Sequence, residues 1–295
     1  MAQTQKVKAR SLGQEAWRRF KKDRLAIIAL CFLVLLVVAA FATLVIDLVT
    51  QGEFDDQYVV EQDLLKKLDG PSLEHPLGMD EFGRDILLRI IWGIRYSLFM
   101  GMIAIIGAII IGTVIGSVAG FYKKVDNVIM RCMDVLLAIP SILLATAIVA
   151  ALGPSLPNVV IAIGLANIPQ FARIVRASVL TIKGQEYIEA ARAMGASDLR
   201  IIAKYIIPNS MAPLIVQGSV GVASAILSIA SLSFVGLGVQ PPTPEWGAML
   251  SNARTYMRDA WHITVMPGAA IMLSILSLNI IGDGLRDALD PRLKN

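Results

Sequence analysis

The sequence is poor in charge, in histidine and in cysteine. Only 17% of its 295 residues are Asp, Glu, Lys or Arg and 56% are hydrophobic, against about 25% and about 45–50% in ordinary soluble domains. That imbalance excludes a disordered chain and a nucleic-acid-binding arm, and it is too large for one water-soluble core of this length. Two cysteines, Cys31 and Cys132, exclude a disulfide scaffold. Both lie in or beside apolar runs, where a thiol behaves as a small hydrophobe. The chain has two histidines, His75 and His262. No H-E-x-x-H and no Cys/His cluster occurs, so no metal site is expected. The dipeptide Gly-Lys is also absent. The chain therefore has no G-x-x-x-x-G-K-[ST] loop and cannot hold ATP by that route.

What is abundant is apolar sequence in long runs. A bilayer core of about 30 Å takes roughly 20 consecutive apolar residues as helix. Residues 25–46 form a first uncharged run behind a basic tail, 1–24. It is longer than the apolar region of a signal peptide and is expected to be retained. Residues 98–122 form a second, with Gly112, Gly116 and Gly120 at a four-residue spacing that lets two helix backbones approach. From 135 to 172 there is no charge for 38 positions. A Gly153-Pro154-Ser155-Leu156-Pro157-Asn158 turn divides this stretch into expected spans at 128–152 and 159–179. Pro140 and Pro169 inside them predict a kink or local unwinding. Spans at 211–235 and 263–282 complete an all-α membrane protein of six crossings.

Orientation follows from lysine and arginine. Twenty of the 27 lie in the N-terminal tail, beyond the second span, between the fourth and fifth, or in the 283–295 tail. The segments 47–97 and 236–262 hold the other seven. Both termini are thus expected to be cytoplasmic. The outward segment carries 11 of the 23 acidic residues between positions 47 and 95 and reads as a small cap with a short helix or two. Ion-coupled transporters generally place ionisable groups at mid-membrane, and the spans hold none there. Arg131 and Asp134 share a helix face near the cytoplasmic start of the third span and are expected to pair locally. Arg173 and Arg176 can reach the inner interface. Asn167 and Gln170 suit either interhelical hydrogen bonds or a wet pathway wall.

The cytoplasmic loop 183–209 is more than a linker. Residues 185–194 are good helix formers, Gly195 breaks the run, and Ser197 can cap a second short helix starting at Asp198. Leu199, Ile202 and Ile206 fall on one apolar stripe, Arg200 and Lys204 on another face, and Pro208 is expected to close the unit. This is the pattern of a docking surface.

Glu189-Ala190-Ala191, Gly195 and Ile207-Pro208 together resemble the EAA loop of permease subunits in binding-protein-dependent ABC importers. The His75-Pro76-Leu77-Gly78-Met79-Asp80-Glu81-Phe82-Gly83-Arg84-Asp85 segment is similar to the outer-loop signature of dipeptide, oligopeptide and nickel permeases. So are Gln240-Pro241-Pro242-Thr243-Pro244-Glu245-Trp246-Gly247 and the ending Gly282-Asp283-Gly284-Leu285-Arg286-Asp287-Ala288-Leu289-Asp290-Pro291. The motifs cover most of 75–292 and match the "C" permease of peptide importers. The first 70 residues carry no motif.

The resemblance implies the type I importer permease fold in a bacterial or archaeal inner membrane, with no catalysis and no cofactor in this chain. ATP and Mg would be bound by two ATPase subunits. The other implied partners are a second permease, an extracytoplasmic binding protein, the lipid bilayer and a peptide substrate. Glutathione or a nickel chelate is the alternative cargo. An ion-coupled transporter and a membrane scaffold are the rival classes. The segment after Gly195 would be the coupling helix, with Ser197, Asp198, Leu199, Arg200, Ile202 and Lys204 on the contact face. Glu189 would fix the angle between the two short helices. Gly78, Asp80, Gly83, Arg84, Asp85, Glu245 and Trp246 are candidates for contact with the binding protein or second permease. Packing of the outer loops against each other is the alternative for them.

Overall fold

Small residues decide which helix faces meet. The computed structural model describes residues 12–289, so Lys6, Lys8, Arg10 and the Asp290-Pro291 end of the last motif lie outside the described residues. The elements are helices α1 (Leu12–Phe20), α2 (Arg24–Val49), α3 (Ile86–Ile94), α4 (Met100–Phe121), α5 (Lys123–Leu137) and α6 (Ser141–Leu152). They continue as α7 (Leu156–Ile182), α8 (Glu186–Ala193), α9 (Asp198–Ile201), α10 (Ile207–Phe234), α11 (Trp246–Ala253) and α12 (His262–Leu289). Among the described residues, five helical stretches are long and apolar enough to cross a membrane, and six when α5 and α6 count as one broken span.

Helix α2 shows the logic of a lipid-facing helix. Only Ala26, Ala29, Ala40 and Thr43 are buried on it, while Leu25, Ile28, Leu35 and Phe41 point outward. Large apolar side chains lose nothing by facing lipid, so the small ones take the protein contact. Ala26 meets Gly284 of α12 there. The same rule joins α4 to α7. A Cβ on Gly112 would stand 2.7 Å from that of Phe171, one on Gly120 would stand 2.7 Å from that of Val179, and one on Gly116 would overlap the Ala172 carbonyl. The three glycines thus act in close helix packing, and Phe171, Ala172, Val175 and Val179 are buried against them.

The third, second and fifth expected spans differ from the sequence expectation. The expected single helix 128–152 is two helices bent by 85°. Pro140 stands at the break, without an N–H and with its carbonyl accepting from Leu143 and Leu144 at 2.9 and 3.1 Å. Pro169, by contrast, is buried inside an unbroken α7. The second span begins at Ile86 rather than 98, because Arg89 and Arg95, which end the uncharged run in the sequence, are buried and paired. A π-helical turn, Arg95–Phe99, joins α3 to α4.

Pro208 does not close the 183–209 unit. The chain runs helically from Asp198 to Phe234 through a π-helical turn, Ile202–Ile206. The wider turn carries the Ile207 N–H to the Ile202 carbonyl and leaves Pro208 in the first turn of α10, where no N–H is needed. Asn209 Nδ2 and Ser210 Oγ donate to the carbonyls of Tyr205 and Ile206 at 2.6 and 2.9 Å.

Candidate coupling site

The unit formed by α8 and α9 is a tight helical hairpin. Its corner is Gly195, at φ +82°, a left-handed conformation that side-chain-bearing residues rarely adopt. A Cβ there would meet nothing within 4 Å, so the requirement is conformational rather than steric. The Ala196 N–H closes the turn on the Ala191 carbonyl at 3.0 Å. Ser197 caps α9, its Oγ accepting from the Arg200 N–H at 3.4 Å, and Asp198 lies in the positive first turn.

The hairpin is seated by apolar contacts and by polar ties to the end of α4. Ile188, Ala191, Ile201, Ile202 and Ile206 are buried. Lys183 Nζ donates to the Gly120 carbonyl at 2.8 Å, and the Arg192 guanidinium lies 5.3 Å from the centre of the Phe121 ring. The Tyr122 phenol lies beside Asp198, and partial desolvation followed by the Asp198 charge pushes it up from its ordinary value.

The structure redistributes several expected roles. Ile201, not Leu199, joins Ile202 and Ile206 on the buried stripe, because the π turn shifts the helix phase at Ile202. Leu199 is 76% exposed and Met194 80% exposed. The Glu189 side chain is exposed and has no hydrogen-bond or ion-pair partner among the described residues, so nothing within this chain ties it to the second short helix. Ala190, Ser197, Arg200 and Lys204 are also exposed, whereas Ala191 faces inward. Met194, Tyr122, Lys183 and Arg192 are contributors the sequence pattern did not mark. Met194 was legible in principle as an apolar residue placed beside a turn with no partner in its helix.

At the other end of the bundle, the outer motif residues are mostly internal. Asp80 (5% exposed), Arg84 (3%) and Arg89 (3%) form a buried cluster, with Arg84 Nε 2.7 Å and Arg89 Nε 3.4 Å from Asp80 Oδ2. Burial, and next the Asp80 charge, hold the Glu81 carboxyl above its ordinary value. Glu245, 1% exposed, accepts from Ser97 Oγ and caps α11 through the Gly247 and Ala248 N–H groups, both at 2.8 Å. Trp246 Nε1 donates to the Ile90 carbonyl. Asp85 accepts from the Leu88 N–H and lies 2.8 Å from His75 Nδ1. Gly78 and Gly83 have positive φ and abut Asp69 and Asp63, where a Cβ would clash. These seven residues therefore pack outer loop on outer loop. The expectation that they face a partner gives way to that alternative, since a buried side chain presents no surface.

Between α5 and α7, Asp134 pairs with Arg173 at 2.6 Å instead of with Arg131. The packed neighbouring helix supplies the nearer guanidinium. Arg176 pairs with Asp126 through two bonds of 2.5 and 2.6 Å. Asn167 donates to the Ile163 carbonyl of its own helix at 2.8 Å, and Gln170 is exposed without a partner among the described residues.

A bundle of up to six candidate crossings with a hairpin foot at one end and a charge-laced cap at the other is the architecture of a helical membrane protein. The family model described as "Binding-protein-dependent transport system inner membrane component" matches residues 108–295. A second, "N-terminal TM domain of oligopeptide transport permease C", matches 11–67, most of the stretch in which the sequence offered no motif. The chain belongs to the first of these families, the non-catalytic permeases of ABC importers, and is a multi-pass membrane protein. It is 47% identical over 284 residues to a dipeptide transport system permease protein of Alkalihalophilus pseudofirmus, covering 96% of this chain and 90% of that one. It is 46% identical to a di/tripeptide permease of Pseudomonas aeruginosa, with 96% and 93% covered. It is 45% identical to a glutathione permease of Pectobacterium atrosepticum, with 97% and 93% covered. In fold it is similar to an inward-facing MetNI methionine ABC transporter chain, with a TM-score of 0.56 and 18% identity, covering 70% of this chain and 98% of that one. That likeness carries the fold alone.

Proposed function

We propose that this chain is one of two permeases in an ATP-driven importer of short peptides, and that the 183–209 hairpin is where the work of partner ATPases enters. The observation that carries the reading is the exposed face of the hairpin, with Glu189, Ala190, Met194 and Leu199 open and the opposite face locked to α4 and α10. A rigid foot with an unfilled apolar tip is suited to seat in a partner's groove. The hairpin and both termini lie in the cytoplasm, in keeping with the twenty-to-seven split of basic residues.

In this mechanism, closure of two ATPases on ATP carries the hairpin with them. Lys183, Arg192 and Asp198 pass the motion to α4, and the continuous helix from Asp198 passes it to α10. The bundle then opens outward and receives peptide from a docked binding protein. Reversing a 1:99 population needs about 5.5 kcal/mol of differential binding, shared between the ATPases and the binding protein. The relatives named for dipeptides and for di- and tripeptides, 47% and 46% identical, support short peptides as cargo. Glutathione, itself a small peptide, is the second reading, supported by the 45% identical relative.

In the reconstituted importer, Gly195→Pro and Glu189→Lys are expected to abolish peptide-stimulated ATP hydrolysis while membrane insertion persists. Normal uptake in both variants would remove the hairpin from the account. Copurification with the ATPases and binding protein, followed by identification of the ligand held by the binding protein, tests the cargo.

A further inference from the structure

The cleft between α5 and α7 holds one guanidinium more than the two ion pairs across it neutralise. It has a volume of about 540 Å³ and is lined by Asn127, Met130, Arg131, Asp134, Arg173 and Arg176, within the roughly 300–1,000 Å³ range of small-molecule sites. Asp126 neutralises Arg176 and Asp134 neutralises Arg173, both across the helix pair. Arg131 makes no ion pair among the described residues and is exposed on the same face of α5 as Asp134. An uncompensated cation at the cytoplasmic mouth of a membrane bundle faces water or a ligand, not lipid. A polar line runs from this cleft along α7, through Gln170 to Asn167, about 9 Å from Arg173 at helical rise. Gln170 is exposed and has no partner among the described residues.

We infer that this cleft is a transient site on the translocation path for a zwitterionic peptide, with Arg131 taking the terminal carboxylate and Asp134 the terminal ammonium. The inference rests on the peptide-importer reading and adds the residues that meet the cargo. Arg131 and Asp134 stand one helical turn apart, about 5–6 Å between Cβ atoms. The two ends of an extended dipeptide are separated on the same scale, at about 3.3–3.6 Å per residue. The Arg173 pair is half-exposed, at 54% and 48%, so Asp134 can be shared with an arriving ammonium without stranding a buried charge. Such a site is weak by construction. It holds the ends and leaves the side chains free, which suits a path that must pass many sequences and release each one.

The test uses the permease pair with its ATPases in nanodiscs, without binding protein. Saturation-transfer NMR measures binding of dialanine, its N-acetyl form, its C-amide form and acetate. Dialanine is expected to bind about tenfold more tightly than either blocked form, the scale of one charge-assisted hydrogen bond. In Arg131→Gln the penalty for amidation should vanish while that for acetylation stays, and in Asp134→Asn the reverse. Arg131→Gln breaks no ion pair and carries the decision if Asp134→Asn loosens the bundle. Equal binding of all three peptides, acetate binding as tightly as dialanine, or unchanged preferences in Arg131→Gln would overturn the assignment. Uptake by the same preparation with binding protein added reads the importer function separately, so either conclusion can fail alone.

Discussion

Gly116 and Gly107 lie on the same helix and differ only in what stands opposite them. A methyl at Gly116 would overlap the Ala172 carbonyl, whereas one at Gly107 meets nothing within 4 Å. Gly116→Ala is expected to destabilise the α4–α7 contact by about 1–3 kcal/mol and Gly107→Ala to leave it unchanged, read as thermal unfolding of the purified protein. The four-residue spacing of Gly112, Gly116 and Gly120 was legible because it is a helical period. That α7 is the partner was not, since a contact across distant chain segments leaves no local trace. Glu81 gives a pH prediction at the same scale. Its folded-state value is raised by burial and by Asp80, so the folded chain binds its proton more tightly than the unfolded chain does. The group's contribution to stability then falls as pH rises from the ordinary carboxylate value to the raised one, and is level above it. Glu81→Gln should flatten that part of the dependence of unfolding temperature on pH, and an unaltered profile would show that the carboxyl ionises freely in the fold.

Helices α5 and α7 are joined by the bidentate Asp126–Arg176 pair, with side chains only 17% and 33% exposed. A double-mutant cycle with Asp126→Asn and Arg176→Gln is expected to give a coupling of about 0.5–3 kcal/mol in thermal unfolding. Additive losses would mean that the pair does not tie the helices. At this scale the sequence was readable wherever a rule acts locally. Apolar length gave the crossings, Gly195 gave the corner of the hairpin, Ser197 gave its cap and Pro140 gave a disturbance of the third span. The sequence failed where a tertiary partner reverses a local rule. Arg89 and Arg95 look like the end of a span, yet Asp80 and Asp47 allow the helix to carry them inside. Pro208 looks like a stop, yet a π turn lets the helix continue. Leu199 fits the apolar stripe by spacing, and the same turn changes the phase and leaves it outside.

The described residues divide into a cap that binds itself together at one end of the bundle and a foot that leaves one face open at the other. The cap is stiffened by buried charges paired within this chain, as Asp80 is with Arg84 and Arg89, and motif residues such as Asp80, Arg84 and Glu245 turn inward. The foot leaves Met194 and Leu199 exposed, and these are the positions that the proposed ATPase contact would cover. One measurement addresses this asymmetry directly. In the assembled importer with Cys31 and Cys132 replaced by serine, single Met194→Cys and Leu199→Cys variants are treated with a short bifunctional thiol reagent. The account predicts a cross-link from both positions to an ATPase subunit carrying a cysteine in its groove, with ATP hydrolysis arrested by the link and restored by its cleavage. Labelling of the same cysteines by a membrane-impermeant maleimide added from outside the cell, with no link to the ATPases, would contradict it.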